Sequence, residues 1–167
     1  MNMMRSKLGL QKYFEEDKKL INDLQECLLE KETDMTIFYR LLGSYNTGKD
    51  SIATVIRPAL YEPDNIKSAF LEQWKQWFKA YDERLKKETI SFEARRDAMN
   101  KINPKYVLRN YMAQLAIDEA NEGNYELIEE FFTMLKQPYN EQPQYEKWFA
   151  KRPEWARHKV GCSMLSC

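Results

Sequence analysis

The sequence predicts an all-α protein, a multi-helix bundle around a central helix at about residues 104–121, ending in an irregular tail that carries aromatics and prolines. Three observations predict it. Apolar residues recur at helical spacing through most of the first 137 positions. Residues able to cap helices stand before several of those runs. No stretch shows the apolar–polar alternation of a half-buried strand.

The elements follow in order. Leu20, Ile21, Leu24 and Leu28, with Cys27 at the edge of the same face, predict an amphipathic helix over about 16–31. Thr33 or Asp34 can cap a shorter one through Met35, Ile37, Phe38, Leu41 and Leu42, stopping near Gly43. A polar loop covers 44–50. Residues 51–60 are weakly helical and end before Pro63. The longest helix is expected from Asp64 to about Lys87, with Ile66, Phe70, Leu71, Trp74, Trp77, Phe78, Tyr81 and Leu85 in one arc, so that one face is buried. Ser91 caps a segment containing Phe92, Ala94, Met99 and Ile102.

The central helix comes next. Asn103 suits an N-cap and Pro104 the first helical position, where its missing N–H is not needed. Val107, Leu108, Tyr111, Met112 and Leu115 make one apolar face, and Tyr106, Ala113, Ile117 and Ala120 a second. Arg109 lies in one seam, Asn110 and Gln114 in the other. A helix apolar on two sides is covered on two sides. It stops at Gly123. Asn124 then caps a last helix with Leu127, Ile128, Phe131, Phe132 and Leu135 on one side. Beyond Pro138 the periodicity disappears, and Tyr139, Tyr145, Trp148, Phe149 and Trp155 pin the tail across the helices. The expected organisation is one domain: a bundle over 1–137 and an extended tail over 138–167 packed on it.

Composition bounds the function. At 167 residues the chain is one ordinary domain or a piece of something larger, and it buries enough surface to fold without a metal or disulfide. Lys plus Arg equals Asp plus Glu at 26 each, so no net field draws nucleic acid or an anionic membrane. No run of about 18 apolar residues exists to span a bilayer, and the first ten residues lack a signal-peptide core. Three cysteines, two of them in the last six residues, make no secreted disulfide framework, which points to a reducing cytoplasm.

Candidate chemistry is sparse. Gly43, Gly48 and Lys49 fit a phosphate-loop pattern, but Asp50 stands where Ser or Thr would hold Mg²⁺ and a helix precedes the loop, so a solvated helix–helix loop is the better reading. His158, Cys162 and Cys167 lack a fourth ligand in a close pair for structural zinc. Glu15/Glu16, Asp118/Glu119 and Glu129/Glu130 read as solvated helix faces. Trp74 and Trp77 read as core, since they belong to a full apolar stripe. Arg109, in a helix seam, needs a partner or a ligand, because an unpaired buried charge is costly.

Several strings, taken in order, resemble the C-terminal region of the selenoprotein O (YdiU) family. They are Arg5-Ser6-Lys7-Leu8-Gly9-Leu10, Tyr39-Arg40-Leu41-Leu42, and Asn103-Pro104 followed by Leu108-Arg109-Asn110, Ala113-Gln114 and Ala116-Ile117. Pro138-Tyr139 and Arg152-Pro153-Glu154-Trp155-Ala156 complete the series. The resemblance implies a protein-kinase-like fold in the full-length family and a protein adenylyltransferase activity, which moves AMP from ATP, with Mg or Mn, onto Ser, Thr or Tyr hydroxyls of proteins. It covers only the family's end. The catalytic and nucleotide-binding residues lie upstream of the region matched, so this chain is expected to carry no catalytic residue, metal or nucleotide site and to be a fragment of a larger protein. Its expected partners are the missing kinase-like catalytic domain and, through the full-length enzyme, protein substrates, with no nucleic acid and no membrane. Asn103, Pro104, Arg109, Asn110, Gln114 and Trp155 are its expected structural or interface residues. The family ends in a cysteine or selenocysteine, which implies a redox thiol at Cys167 or Cys162; spacing from Trp155 falls nearer Cys162. The expected role is structural support for the catalytic part, with a redox-active tail. The alternatives are a stand-alone helical interaction module and, on residues 43–50 alone, a phosphate-loop nucleotide binder.

Overall fold

The computed structural model describes residues 2–162, and among them nine α-helices and one 3-10 helix make up the regular structure. A single antiparallel bridge, Thr33 to Leu60, is the closest approach to a sheet among the described residues. The chain forms two compact units, Met1–Asn103 and Pro104–Cys167. The boundary drawn from sequence between bundle and tail, at 137/138, falls inside the second unit.

The first unit holds α1 (Asn2–Lys7), α2 (Asp17–Glu30), α3 (Met35–Ser44), α4 (Ala53–Ala59), α5 (Ser68–Leu85) and α6 (Phe92–Asn100). Local chemistry sets several of the ends. Asp34 accepts from the Ile37 amide at 3.0 Å and starts α3, and Ser91 Oγ accepts from Ala94 N at 3.2 Å and starts α6. The α5 stripe buries Phe70, Trp74, Trp77, Phe78 and Tyr81 as its spacing requires. Trp74 and Phe38 lie 5.3 Å apart, and Trp77 stacks on Tyr81 at 5.1 Å. Trp77 also donates to Leu20 O at 2.9 Å, tying α5 to α2.

One start differs from expectation. α5 begins at Ser68, not Asp64. The Asp64 carboxylate accepts from Arg57 at 3.0 Å, while Tyr61 N donates to Glu32 O and Lys31 Nζ to Asn65 O. These bonds hold the chain ahead of α5 against the end of α2, out of helical conformation.

The second unit holds α7 (Asn110–Asn121), α8 (Glu126–Leu135), a 3-10 helix (Pro143–Trp148) and the short α9 (Glu154–Arg157). The expectation of a helix starting at Asn103 and Pro104 is corrected here. Residues 104–109 are not helical, and Arg109 precedes the first turn. The amides of Lys105 and Tyr106 both donate to Pro138 O, at 2.8 and 3.1 Å. The Tyr106 hydroxyl donates to Gln142 O at 2.9 Å, and Lys105 Nζ reaches Glu141 and Glu146 at 2.6 Å each. Bonds to the returning tail thus claim the donors that a first helical turn would have aligned.

The two-faced central helix is corrected with it. α7 buries Tyr111, Met112 and Ala116, whereas Ile117 on the supposed second face is 54% exposed. Tyr106 is buried, but from non-helical chain. α8 also divides its apolar residues: Phe131 and Met134 are buried, Ile128 and Phe132 exposed. The tail does pin itself with rings, Trp148 edge-on to Phe131 at 4.7 Å and Trp155 edge-on to Tyr111 at 6.3 Å.

Candidate functional site

In the first unit, motifs far apart in sequence meet in one buried polar network. After α1 the chain turns at Gly9, whose φ of +71° is left-handed, and Leu8 and Leu10 drop into the core. A side chain at Gly9 would strike Arg95 Cγ at 2.7 Å and Met99 Sδ at 2.8 Å. Two carbonyls at this turn are used from within. Lys7 O accepts from Asn103 Nδ2 at 2.9 Å, and Leu8 O accepts from the Tyr81 hydroxyl at 2.8 Å. Arg95 then donates to that hydroxyl at 3.1 Å and to Tyr45 O at 2.5 Å. Arg40, from the Tyr39–Leu42 string, donates to Asn100 O at 3.2 Å and Asn103 O at 3.1 Å. Asn103, singled out as a cap, is instead a clasp: 1% exposed, it joins the α6 end to the turn after α1.

A second buried group ties α5 to the segment before α2. Arg84 Nε donates to Asp17 Oδ1 at 2.5 Å, Nη1 to Glu88 Oε1 at 2.8 Å and Nη2 to Lys12 O at 2.8 Å. Its guanidinium lies 4.5 Å from the Phe14 ring centroid. Sequence reasoning missed this group. The signal was present, because Arg84 is three residues beyond Tyr81 and seven beyond Trp77, inside the apolar arc of α5.

In the second unit, Arg109 is 4% exposed and engaged, so it does not present the bare guanidinium of a waiting docking surface. Its carbonyl accepts from Met112 N and Ala113 N as the first acceptor of α7. Pro104 is half-buried and Asn110 exposed at the first residue of α7. Gln114 spends its amide on Asp118 at 2.6 Å. Trp155 is 46% exposed. Cys162 is 1% exposed, packed with Tyr106, Tyr111, Met112, Phe131, Met134 and Ala156. Its nearest polar atom is Asn110 O, 3.9 Å from Sγ. Cys167 lies outside the described residues. Thus Asn103 belongs to the first network, whereas Arg109, Asn110, Gln114, Trp155 and Cys162 belong to the second unit.

The phosphate-loop look-alike is used internally. Gly43 and Ser44 close α3, and Gly48 takes a φ of +75°. The Asp50 carboxylate accepts from the Asn46 amide at 2.7 Å, occupying a loop N–H of the kind a phosphate would take. Beside it, a cleft of about 210 Å³ is lined by Asn46, Thr47, Asp82, Glu88, Ser91 and Arg95 among others. Burial pushes the Asp82 carboxyl above its ordinary range even though Tyr45 donates to it at 3.2 Å. A larger cleft, of about 310 Å³ between α2 and α5, has its charges paired: Glu16 with Lys87, Lys19 with Asp23, Asp17 with Arg84. Trp74 and Trp77, at 0% and 3% exposure, offer no face for a base or sugar. Among the described residues, no three His, Cys, Asp or Glu side chains gather to hold a metal ion, and no helix is long and apolar enough to cross a membrane.

The first unit therefore holds two sets of internal clasps, and residues that carry the family resemblance, Lys7, Leu8, Arg40 and Asn103, take part in the first of them. Comparison with known proteins agrees with that resemblance. The model of the family described as protein adenylyltransferase SelO matches residues 1–136. A protein nucleotidyltransferase YdiU of Flavobacterium johnsoniae is 52% identical over 168 residues, covering 99% of this chain and 32% of the relative. The proteins of the same name from Aromatoleum aromaticum and Tolumonas auensis are each 43% identical, with 99% of this chain and 31% of the relative covered. The chain thus spans about a third of the length of these curated relatives. Across that span, this protein belongs to the SelO/YdiU family of protein adenylyltransferases.

Proposed function

We propose that this chain is the helical supporting part of a protein adenylyltransferase, in the setting of a kinase-like fold, and that catalysis resides in the family polypeptide beyond this stretch. The full-length enzyme would take ATP with Mg or Mn and transfer AMP to hydroxyls of protein substrates, in a reducing cytoplasm. The observation that carries this reading is the fate of the family-like residues. Lys7, Leu8, Arg40 and Asn103 are committed to internal bonds that tie α1 and the turn after it to α3, α5 and the end of α6, which is the work of a rigid support.

The redox proposal narrows at one position. The Cys162 thiol is enclosed by apolar side chains, so an oxidant reaches it only after the cluster opens. The test is transfer of labelled AMP in Mg²⁺ or Mn²⁺, with this chain alone and with the full-length Flavobacterium johnsoniae relative. Transfer by the relative and none by this chain supports the proposal. Transfer by this chain that disappears on Lys49→Ala would overturn it in favour of a phosphate-loop site.

A further inference from the structure

One helix face stands apart from the clasps described above. On α8 and its N-cap, Tyr125, Ile128 and Phe132 follow one another at spacings of three and four residues and are 60%, 46% and 63% exposed. Lys136 extends over Phe132, 4.2 Å from its ring centroid, at one end of this stripe. Along its edge stand Glu126 and Glu129, both exposed and without an ion-pair partner among the described residues. The opposite face of the same helix already packs Phe131 and Met134 into the core. Nothing in the helix's own stability calls for the exposed stripe, and three large apolar groups in water are unfavourable by the area they expose.

We propose that this stripe is the seat of an apolar ridge with a lysine- or arginine-bearing edge, supplied by the portion of the full-length polypeptide outside this stretch. The inference rests on the reading of the chain as a supporting part of a longer enzyme. Two observations select that occupant. First, the curated relatives extend over about three times this length, and the family match runs through the whole of α8 to residue 136. Second, the acidic edge of Glu126 and Glu129 asks for a basic complement.

Size argues against a second copy. Three half-exposed side chains supply roughly 300 Å² per surface, against about 800 Å² per partner in a standard stable interface. A segment of the same polypeptide is held near by its covalent connection, at an effective concentration on the order of millimolar, and needs far less area.

Cysteine footprinting tests this. Ile128→Cys and Phe132→Cys are made separately in this chain and at the aligned positions of the full-length Flavobacterium johnsoniae relative. Reaction with a charged maleimide is followed by peptide mass spectrometry. Both sites are exposed, so the fold tolerates either change, and Ile128→Cys leaves Phe132 in place. Labelling about tenfold or more slower in the full-length protein than in this chain supports the docking. A rise in that rate when the residues aligned with Glu126 and Glu129 are changed to Lys supports the basic edge. Equal rates in the two proteins would overturn the proposal, as would labelling of this chain that slows with its own concentration, which assigns the stripe to a second copy. AMP transfer by the same full-length protein reads the parent proposal separately. Transfer together with equal labelling removes the docking surface alone.

Discussion

Arg84 and Asp17 form an ion pair of 2.5 Å with side chains only 3% and 1% exposed, and the same guanidinium holds Glu88 at 2.8 Å. Such a group is costly to assemble and costlier to break, because removing one member strands a buried charge. Asp17→Ala is expected to destabilise the first unit by about 3–5 kcal/mol in urea unfolding. A loss below about 1 kcal/mol would place the pair with ordinary surface bridges.

Gly9 answers to two constraints at once. Its left-handed φ disfavours any side chain, and the space beside it is filled by Arg95 and Met99. Gly9→Ala is expected to cost about 1–3 kcal/mol by strain and overpacking, and to disturb the Arg95–Tyr81 bond. By contrast, Gly48→Ala meets open space and carries only the cost of its φ of +75°. Thermal melts of the two variants should rank them in that order.

Burial pushes the hydroxyls of Tyr39, Tyr45 and Tyr81 up to about 12, with Asp82 adding to the effect at Tyr45 and Arg95 opposing it at Tyr81. The folded state therefore keeps these phenols neutral where the unfolded chain, near 10, ionises them. The stability they contribute is complete below pH of about 10 and falls as pH rises toward about 12. Absorbance titration should show a late set among the ten tyrosines, released together with loss of the helical circular dichroism signal. Smooth titration of all ten near the ordinary value would contradict the burial.

Asp82 runs the other way to a salt-bridged acid. Its carboxyl is raised by burial, so the folded state holds its proton more tightly than the unfolded state, and stability declines as pH climbs from the unfolded value through the folded one. Asp82→Asn should raise the melting temperature at neutral pH and leave it unchanged well below the carboxylate range. A lower melting temperature at neutral pH would show that the charge is better served by Tyr45 than burial implies.

Cys162 sits among apolar side chains. Cys162→Ser is expected to cost about 1–3 kcal/mol for burying a hydroxyl there, more than Cys162→Ala. In the folded chain Cys162 should react with a thiol reagent far more slowly than in urea. Rapid reaction of both states would show that the cluster opens readily.

Much of the fold was legible because short-range chemistry governs it. The stripe from Phe70 to Tyr81 and the caps Asp34 and Ser91 are set by spacing and by side chains that bond to amides within one turn. The helical start assigned to Asn103 and Pro104 was not legible. Asn103 satisfies the cap pattern, but its side-chain Nδ2 donates to Lys7 O, 96 positions away in sequence, and the backbone N–H groups of Lys105 and Tyr106 donate to Pro138 O. Of the buried network, Arg40 and Asn103 stand in strings that carry the family resemblance, but their bonds to each other and to the turn after α1 were not read from it. The site was missed for Arg84, whose place in the α5 arc marked it, and for Arg95, whose partners Tyr45 and Tyr81 come from other helices.

By itself the sequence determined an all-helical chain, most helix limits, the burial of the tryptophan stripe and the family. Each depends on residues within a few turns of one another or on ordered matches along the chain. Only the tertiary structure decided that residues 104–109 are not helical, that α7 has one buried face, and that α8 and its N-cap leave Tyr125, Ile128 and Phe132 in water. An apolar face records that a residue can be buried. Which of two faces finds a neighbour, and which amide is claimed by a carbonyl from afar, depends on the packing of the elements it meets.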